Sequence, residues 1–292
     1  MTSKQLAAVQ KSTIVRSFAL LERLAPTLGA RWAERLWFTV PRTRGHHDRL
    51  APPGLPFRLE VGGHGAAGEA WGVGPVVYLM HGWGGWRWQL DPFVAPLVEA
   101  GYRVVAVDAP SHGDSDPGLE GPGRGSIMEF ADTLAAVVAA NGPAHAVIAH
   151  SLGATAAAFA VRSGLPVGRL VFVAPMADPL PYTRVFAARL GFGERIRTRL
   201  AARLERRIGR PMSDFDVPAM ARELVTPPLL LVHDRLDPET SWSDSAAIAT
   251  SWPATRLVTT TGLGHRRILR DPAVVAEVTG FVAAPAAIPS LA

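Results

Sequence analysis

Ser151, the chain's nine histidines and a short series of carboxylates are the groups whose types and spacing could do chemistry. The apolar run Ala146–Ala149 passes directly into His150-Ser151-Leu152-Gly153, and a helical pattern begins at once. A serine hydroxyl is a weak nucleophile until a base takes its proton, so a histidine steadied by a carboxylate must be found for it. The histidines are His46, His47, His64, His81, His112, His145, His150, His233 and His265. His265 lies near the C-terminus in Gly262-Leu263-Gly264-His265, where glycines suit a loop that presents an imidazole. The run Leu229–Val232 ends in His233-Asp234-Arg235-Leu236-Asp237, which supplies two carboxylates. Attack on an acyl carbon creates an oxyanion, and its donors must be in place beforehand. The run Val76–Met80 ends in His81-Gly82-Trp83-Gly84-Gly85, whose glycines admit close backbone approach. Trp83, Trp86 and Trp88 suit a pocket wall and a core equally well.

Such groups need a rigid scaffold. From Leu55 onward, short apolar runs alternate with helical patterns. Phe57–Val61 and Ala70–Trp71 read as an initial antiparallel hairpin. Val76–Met80, Arg103–Val107, Ala146–Ala149, Leu170–Val173, Leu229–Val232 and Arg256–Thr259 read as strands, most of them the continuous apolar runs of a buried parallel sheet. Helical patterns at Asp91–Glu99, Ile127–Ala140, Gly153–Arg162 and Asp271–Val282 lie between or after them. The expected class is therefore α/β, a mostly parallel sheet with helices on both faces. Residues 176–226 break the rhythm. Ile196, Leu200, Leu204 and Ile208 recur every fourth residue among arginines, so an amphipathic helical insertion is expected there. At the N-terminus Ile14, Phe18, Leu21 and Ala25 form one stripe that Pro26 should end, and a second short helix should run from Ala30 to Phe38. The expected organisation is residues 1–54 as a helical hairpin and loop, then 55–292 as the catalytic domain carrying the insertion. The Pro-, Arg- and His-rich loop Pro41–Gly54 should separate the two, and the Ala/Pro tail should fray.

Four segments in this order resemble the α/β-hydrolase family, bacterial serine esterases with a short helical lid in particular, over roughly residues 55–282. Ala149–Gly153 is similar to the family's nucleophile elbow, G-x-S-x-G, with Ala149 in the first Gly position. The resemblance implies Ser151 as nucleophile and, from the order Ser, acid, His, His265 as base. The segment His233–Asp237 resembles H-G-x-x-D, which implies Asp237 as the acid; Asp234, Asp178 and Glu239 stay open as alternatives. His81–Gly85 resembles the H-G-x-x-G oxyanion segment and implies a hole made by the N–H groups of Trp83 and Leu152, supported by His81, Gly82, His150 and Gly153. Asp108–Ser115 resembles the structural turn D-x-P-G-H-G-x-S.

Serine at the elbow leaves esters, thioesters, amides and activated C–C bonds as substrates, and excludes the relatives that use Asp there. The expected activity is hydrolysis of a small or medium carboxylic ester through an acyl-enzyme. A thioesterase, C–C hydrolase or acyltransferase on the same triad, or a non-catalytic small-molecule-binding fold, are the alternatives. No cofactor or metal is expected. The absence of Cys removes thiol chemistry and disulfides, which fits a cytoplasmic setting. Net charge is +5, carried almost wholly by Arg, without any nucleic-acid-binding signature, so nucleic acid is not an expected partner. No apolar run reaches membrane-spanning length and no signal segment is expected. The Arg-rich helices allow weak peripheral contact with a membrane; a monomer or a homodimer is expected.

Overall fold

A computed structural model describes residues 3–41 and 49–285. Residues 42–48 of the loop expected over Pro41–Gly54, and residues 286–292 of the Ala/Pro tail, lie outside the described residues. Eight strands form one sheet: β1 (Leu55–Val61), β2 (His64–Trp71), β3 (Val76–Met80), β4 (Arg103–Val107), β5 (Ala144–His150), β6 (Leu170–Val173), β7 (Leu229–Asp234) and β8 (Thr255–Thr260). The helices are α1 (Ser3–Leu24), α2 (Pro26–Trp37), α3 (Val94–Glu99), α4 (Ile127–Asn141), α5 (Leu152–Arg162) and α6 (Pro179–Leu190), followed by α7 (Glu194–Ile208), α8 (Val217–Ala221), α9 (Trp242–Ser251), α10 (Gly264–Arg267) and α11 (Pro272–Ala283). Tertiary contacts divide the chain into two compact units, Met1–Thr39 with Asp178–Asp216, and Val40–Ala177 with Val217–Ala292.

The second unit carries the sheet, in spatial order β1-β2-β4-β3-β5-β6-β7-β8. β1, β2 and β4 pair antiparallel, and every other pairing is parallel. β3, β6 and β7 are buried along their whole length, as strands covered on both faces must be. The β1–β2 hairpin is longer than Ala70–Trp71 suggested. Gly62 and Gly63, at φ 58° and 83°, close it in two residues and pair Val61 with His64. The helix expected from Asp91 starts as a 3-10 turn over Arg87–Phe93 before α3, because Pro92 has no N–H to bond back along an α-helix. β3 lies between β4 and β5, so the chain leaves it first to one side and then to the other. A crevice for ligands opens at the C-terminal ends of strands around such a reversal.

The first unit is helical. Pro26 does not merely end α1; it occupies the first turn of α2, where its missing N–H costs nothing. Phe18 of α1 stacks on Trp32 of α2 with ring centroids 4.3 Å apart. The four-residue repeat of α7 buries Ile196, Leu200 and Leu204 against Phe18, Ala30 and Ala33. Glu22 caps α7 by accepting hydrogen bonds from the N–H groups of Gly193 (3.1 Å), Arg195 (2.9 Å) and Ile196 (3.1 Å). Buried Glu34 pairs with Arg203. Among the described residues no helix is long and apolar enough to cross a membrane.

In the sheet unit, Val217 N–H donates to Ala177 O at 2.8 Å, so the chain departs and returns at one point. On the same edge of the sheet, where Thr155 Oγ1 donates to Met176 O at 2.6 Å, α5 packs against the end of β3 at van der Waals limit. A Cβ on Gly153 would lie 2.3 Å from His81 O and 3.0 Å from Met80 O. Alanine would raise helix propensity by up to about 1 kcal/mol, but a backbone collision of that depth outweighs it. Gly153→Ala is expected to lower stability by about 1–3 kcal/mol, read as a fall in the urea midpoint at unchanged slope.

Candidate active site

Ser151 stands at the C-terminal end of β5 with φ 53° and ψ −122°, a left-handed conformation that a residue with a side chain rarely adopts. Its own backbone is pinned on both sides. Ser151 N–H donates to Val173 O at 3.0 Å, and Ser151 O accepts from Ala154 N–H at 3.0 Å. Strain of this kind costs about 1–3 kcal/mol and persists only where the surroundings over-determine it. Small neighbours permit the turn: a Cβ on Gly82 would lie 2.8 Å from Ser151 Cβ and 3.0 Å from His150 O.

The parallel register Met80↔Ala149 sets His81-Gly82-Trp83 beside His150-Ser151-Leu152. Among the described residues the N–H groups of Trp83 and Leu152 donate no hydrogen bond within the protein. The neighbouring loop is tied down by two neutral imidazoles. His81 donates from Nδ1 to Gly82 O (2.7 Å) and accepts at Nε2 from Ala109 N–H (3.0 Å). His112 donates from Nδ1 to Pro110 O (2.8 Å) and accepts at Nε2 from Gly84 N–H (3.0 Å). Burial holds both uncharged, pushing His81 down to about 3, with His112 and Arg87 adding to the effect, and His112 down to about 4. Asp108 receives Arg87 N–H at 2.6 Å and Asp114 N–H at 3.0 Å, and pairs with the Arg87 guanidinium. The turn Asp108–Ser115 thereby has the structural part expected of it.

Asp237 and His265 meet: Nδ1 of His265 lies 2.8 Å from Asp237 Oδ2. The other carboxylate oxygen, Oδ1, accepts from the N–H groups of Glu239 (2.7 Å) and Thr240 (3.1 Å). Burial alone would raise the Asp237 carboxyl. Hydrogen bonds from His233 and His265, with the latter's charge, instead hold it well below the usual carboxylate range. Asp234, fully buried, does something else. It accepts from Thr260 Oγ1 (2.8 Å) and from the N–H groups of Leu236 (2.9 Å), Gly262 (3.2 Å) and Leu263 (2.9 Å), fastening the loop that carries His265. Asp178 caps α6 through Leu180 N–H at 2.8 Å. Glu239 lies 4.0 Å from His265 Nε2 and is ion-paired with Arg266.

His150 joins the two halves of the arrangement. Its Nε2 donates to His265 O at 2.9 Å, and the rings sit 4.6 Å apart. Burial foremost, and the charge of His265, keep its own protonation well below the ordinary histidine range. Among the described residues the Ser151 hydroxyl makes no hydrogen bond to His265, and the two residues are linked through His150. Three residues not singled out as site residues in the sequence complete the surroundings of Asp237. Thr240 Oγ1 lies 3.2 Å from both His265 Nδ1 and Asp237 Oδ2. His233 Nε2 lies 3.5 Å from Asp237 Oδ2, and its Nδ1 is 2.7 Å from Ser245 Oγ. Only His233 carried a signal, as the first residue of its motif. Among the described residues no cluster of His, Asp and Glu could hold a metal ion.

The sequence matches the profile of the Alpha/beta hydrolase family over residues 76–278. Similar solved structures include a thermophilic esterase from Thermogutta terrifontis (19% identity, 77% of this chain and 98% of that one, TM-score 0.59). Another is the esterase RhEst1 from a Rhodococcus species (19%, 79% and 99%, TM-score 0.58). A third is a thioesterase domain from the curacin biosynthetic pathway (18%, 78% and 98%, TM-score 0.57). Comparison with curated protein sequences gave no match.

The depressed Asp237 carboxyl has a signed consequence. Below its ordinary range of about 4, the unfolded chain binds a proton that the folded site refuses, so stability falls as pH drops. The contribution of Asp237 is fully present above about pH 4 and is lost progressively below it. Urea unfolding at several pH values should show the wild-type lead over Asp237→Asn shrinking as pH falls from about 4 to about 2. Parallel curves would contradict this.

Proposed function

This chain belongs to the alpha/beta hydrolase family, and we propose that it is a serine hydrolase that cleaves small or medium carboxylic esters. Ser151 is the nucleophile, His265 the general base and Asp237 the acid that orients it. The observation that carries this reading is the 2.8 Å contact between His265 Nδ1 and Asp237 Oδ2 beside a serine held at positive φ. A carboxylate on Nδ1 fixes the tautomer whose Nε2 lone pair is free to take a proton.

The reaction then runs in two halves. Ser151 Oγ attacks the ester carbon while its proton passes to His265 Nε2. The oxyanion forms against the N–H groups of Trp83 and Leu152, which donate no hydrogen bond within the protein among the described residues. His265 returns the proton to the departing alcohol, leaving an acyl group on Ser151. Water, deprotonated by the same imidazole, attacks the acyl carbon; the bond to Ser151 Oγ breaks, Oγ regains the proton from His265, and the acid leaves. His81 and His112 hold the oxyanion loop without bringing charge to it, and Asp234 holds the His265 loop. Esterases of the same fold support the ester as substrate. The thioesterase neighbour makes a thioester the second candidate.

Labelling with a fluorophosphonate separates an active nucleophile from a binding fold. Wild type is expected to be modified, and Ser151→Ala not at all. A panel of p-nitrophenyl esters of graded acyl length, run beside thioesters, amides and lactones, assigns the bond. Asp237→Asn should lose about 10⁴-fold in kcat through the wrong histidine tautomer. Folded wild-type protein that resists the probe and turns over no ester would refute the assignment.

A further inference from the structure

Positive charge is not spread evenly over the molecule. The segments Met1–Thr39 and Asp178–Asp216, which form the helical unit, hold fifteen Lys and Arg against seven Asp and Glu, a net +8. The rest of the chain holds fifteen against eighteen, a net −3. The chain's +5 is the difference between a strongly basic unit and a mildly acidic one. Within the basic unit several acids are already committed: Glu22 caps α7, Glu34 pairs with Arg203, and Glu194 pairs with Arg197. The guanidinium groups of Arg16, Arg23, Arg31 and Arg35 have no partner among the described residues.

Exposed leucines lie among those arginines along the two helices. Leu20 and Leu24 stand one turn apart on α1 and are 57% and 75% exposed, and Leu28, in the first turn of α2, is 54% exposed. Arg31 and Arg35 continue along α2 beside an open groove whose floor includes Trp32 and Leu36. Burying three leucines in water's place is favourable, and cations at the rim choose an anionic partner.

We propose that this leucine–arginine face of the helical unit docks on anionic phospholipid bilayers, the leucines entering the headgroup layer and the guanidiniums pairing with phosphate. Arg is suited to that partner because its planar fork donates two parallel hydrogen bonds to phosphate oxygens. Nucleic acid fits the face less well. It would call for aromatic rings on which bases could stack, whereas Trp32 is already stacked on Phe18 and the exposed side chains are aliphatic. Attachment would be peripheral and governed by charge as well as apolar area.

Co-sedimentation of the full chain with vesicles tests the proposal, using phosphatidylcholine alone and phosphatidylcholine mixed with phosphatidylglycerol. Binding is expected only to the mixed vesicles, and should weaken at least about tenfold on raising salt to about 0.5 M. The double variant Arg31→Glu and Arg35→Glu should lose more than about tenfold in affinity, and Leu24→Ser with Leu28→Ser about tenfold. Each variant should keep its thermal midpoint and its activity on a soluble ester. No binding of wild type to anionic vesicles at low salt overturns the proposal. So does binding unchanged in the leucine variant, which would mean unspecific adhesion of charge, or retention by RNA without retention by vesicles.

Discussion

The parallel pairing of β3 with β5 in the register Met80↔Ala149 is the contact on which the candidate site depends. It brings two strand ends level, so that the segment after each meets the other without intervening side chains. Gly82 faces Ser151 Cβ, and Gly153 faces His81 O, both at distances that leave no room for a methyl group. That approach is open only because Gly82 and Gly153 carry no side chain. The strained conformation of Ser151 follows from the same geometry, since the chain must turn from strand to helix within one residue.

The other side of the site is built on β7 and β8 by a different device. Pairing of Asp234 with Thr260 sets the loop after each strand against the other. The two carboxylates that follow β7 then divide their work by what they accept. Asp234 is saturated by Thr260 and by backbone N–H groups, and so acts on the loop. Asp237 has one oxygen saturated by backbone and turns the other to His265 and Thr240. On the β3 side, two imidazoles serve as neutral struts, each donating with one nitrogen and accepting with the other. His81 and His112 can do this because burial keeps the second nitrogen unprotonated.

Much of this was legible in the amino-acid sequence, and for a physical reason. Strands buried on both faces must be continuous apolar runs, so β3, β5, β6 and β7 announce themselves. The residues that follow them are constrained by close approach, which shows as glycine. Legibility ended where contacts join segments with no shared pattern. Asp234 and Asp237 look alike until the hydrogen bonds to each are known. Thr240 and Ser245 belong to no periodicity and enter only through the fold. Pro26 reads as the end of a helix, although a proline is equally at home in the first turn of the next one. The segregation of charge was hidden for a similar reason. Residues 1–39 and 178–216 are far apart along the chain, and their arginines sum only once Phe18, Ala30 and Ile196 are seen to share one core.

The hydrogen bond from Val217 N–H to Ala177 O bears on how such a chain can change over generations. Because the two ends of the intervening segment are already adjacent, its length imposes little closure entropy on the sheet unit. That cost grows only with the logarithm of loop length. Insertions, deletions or wholesale replacement between those two residues therefore leave β6 and β7 free to pair as before. The framework that holds Ser151, Asp237 and His265 is insulated from variation in the segment. A lineage can exchange that cassette while keeping the pairing of the strands on either side of it.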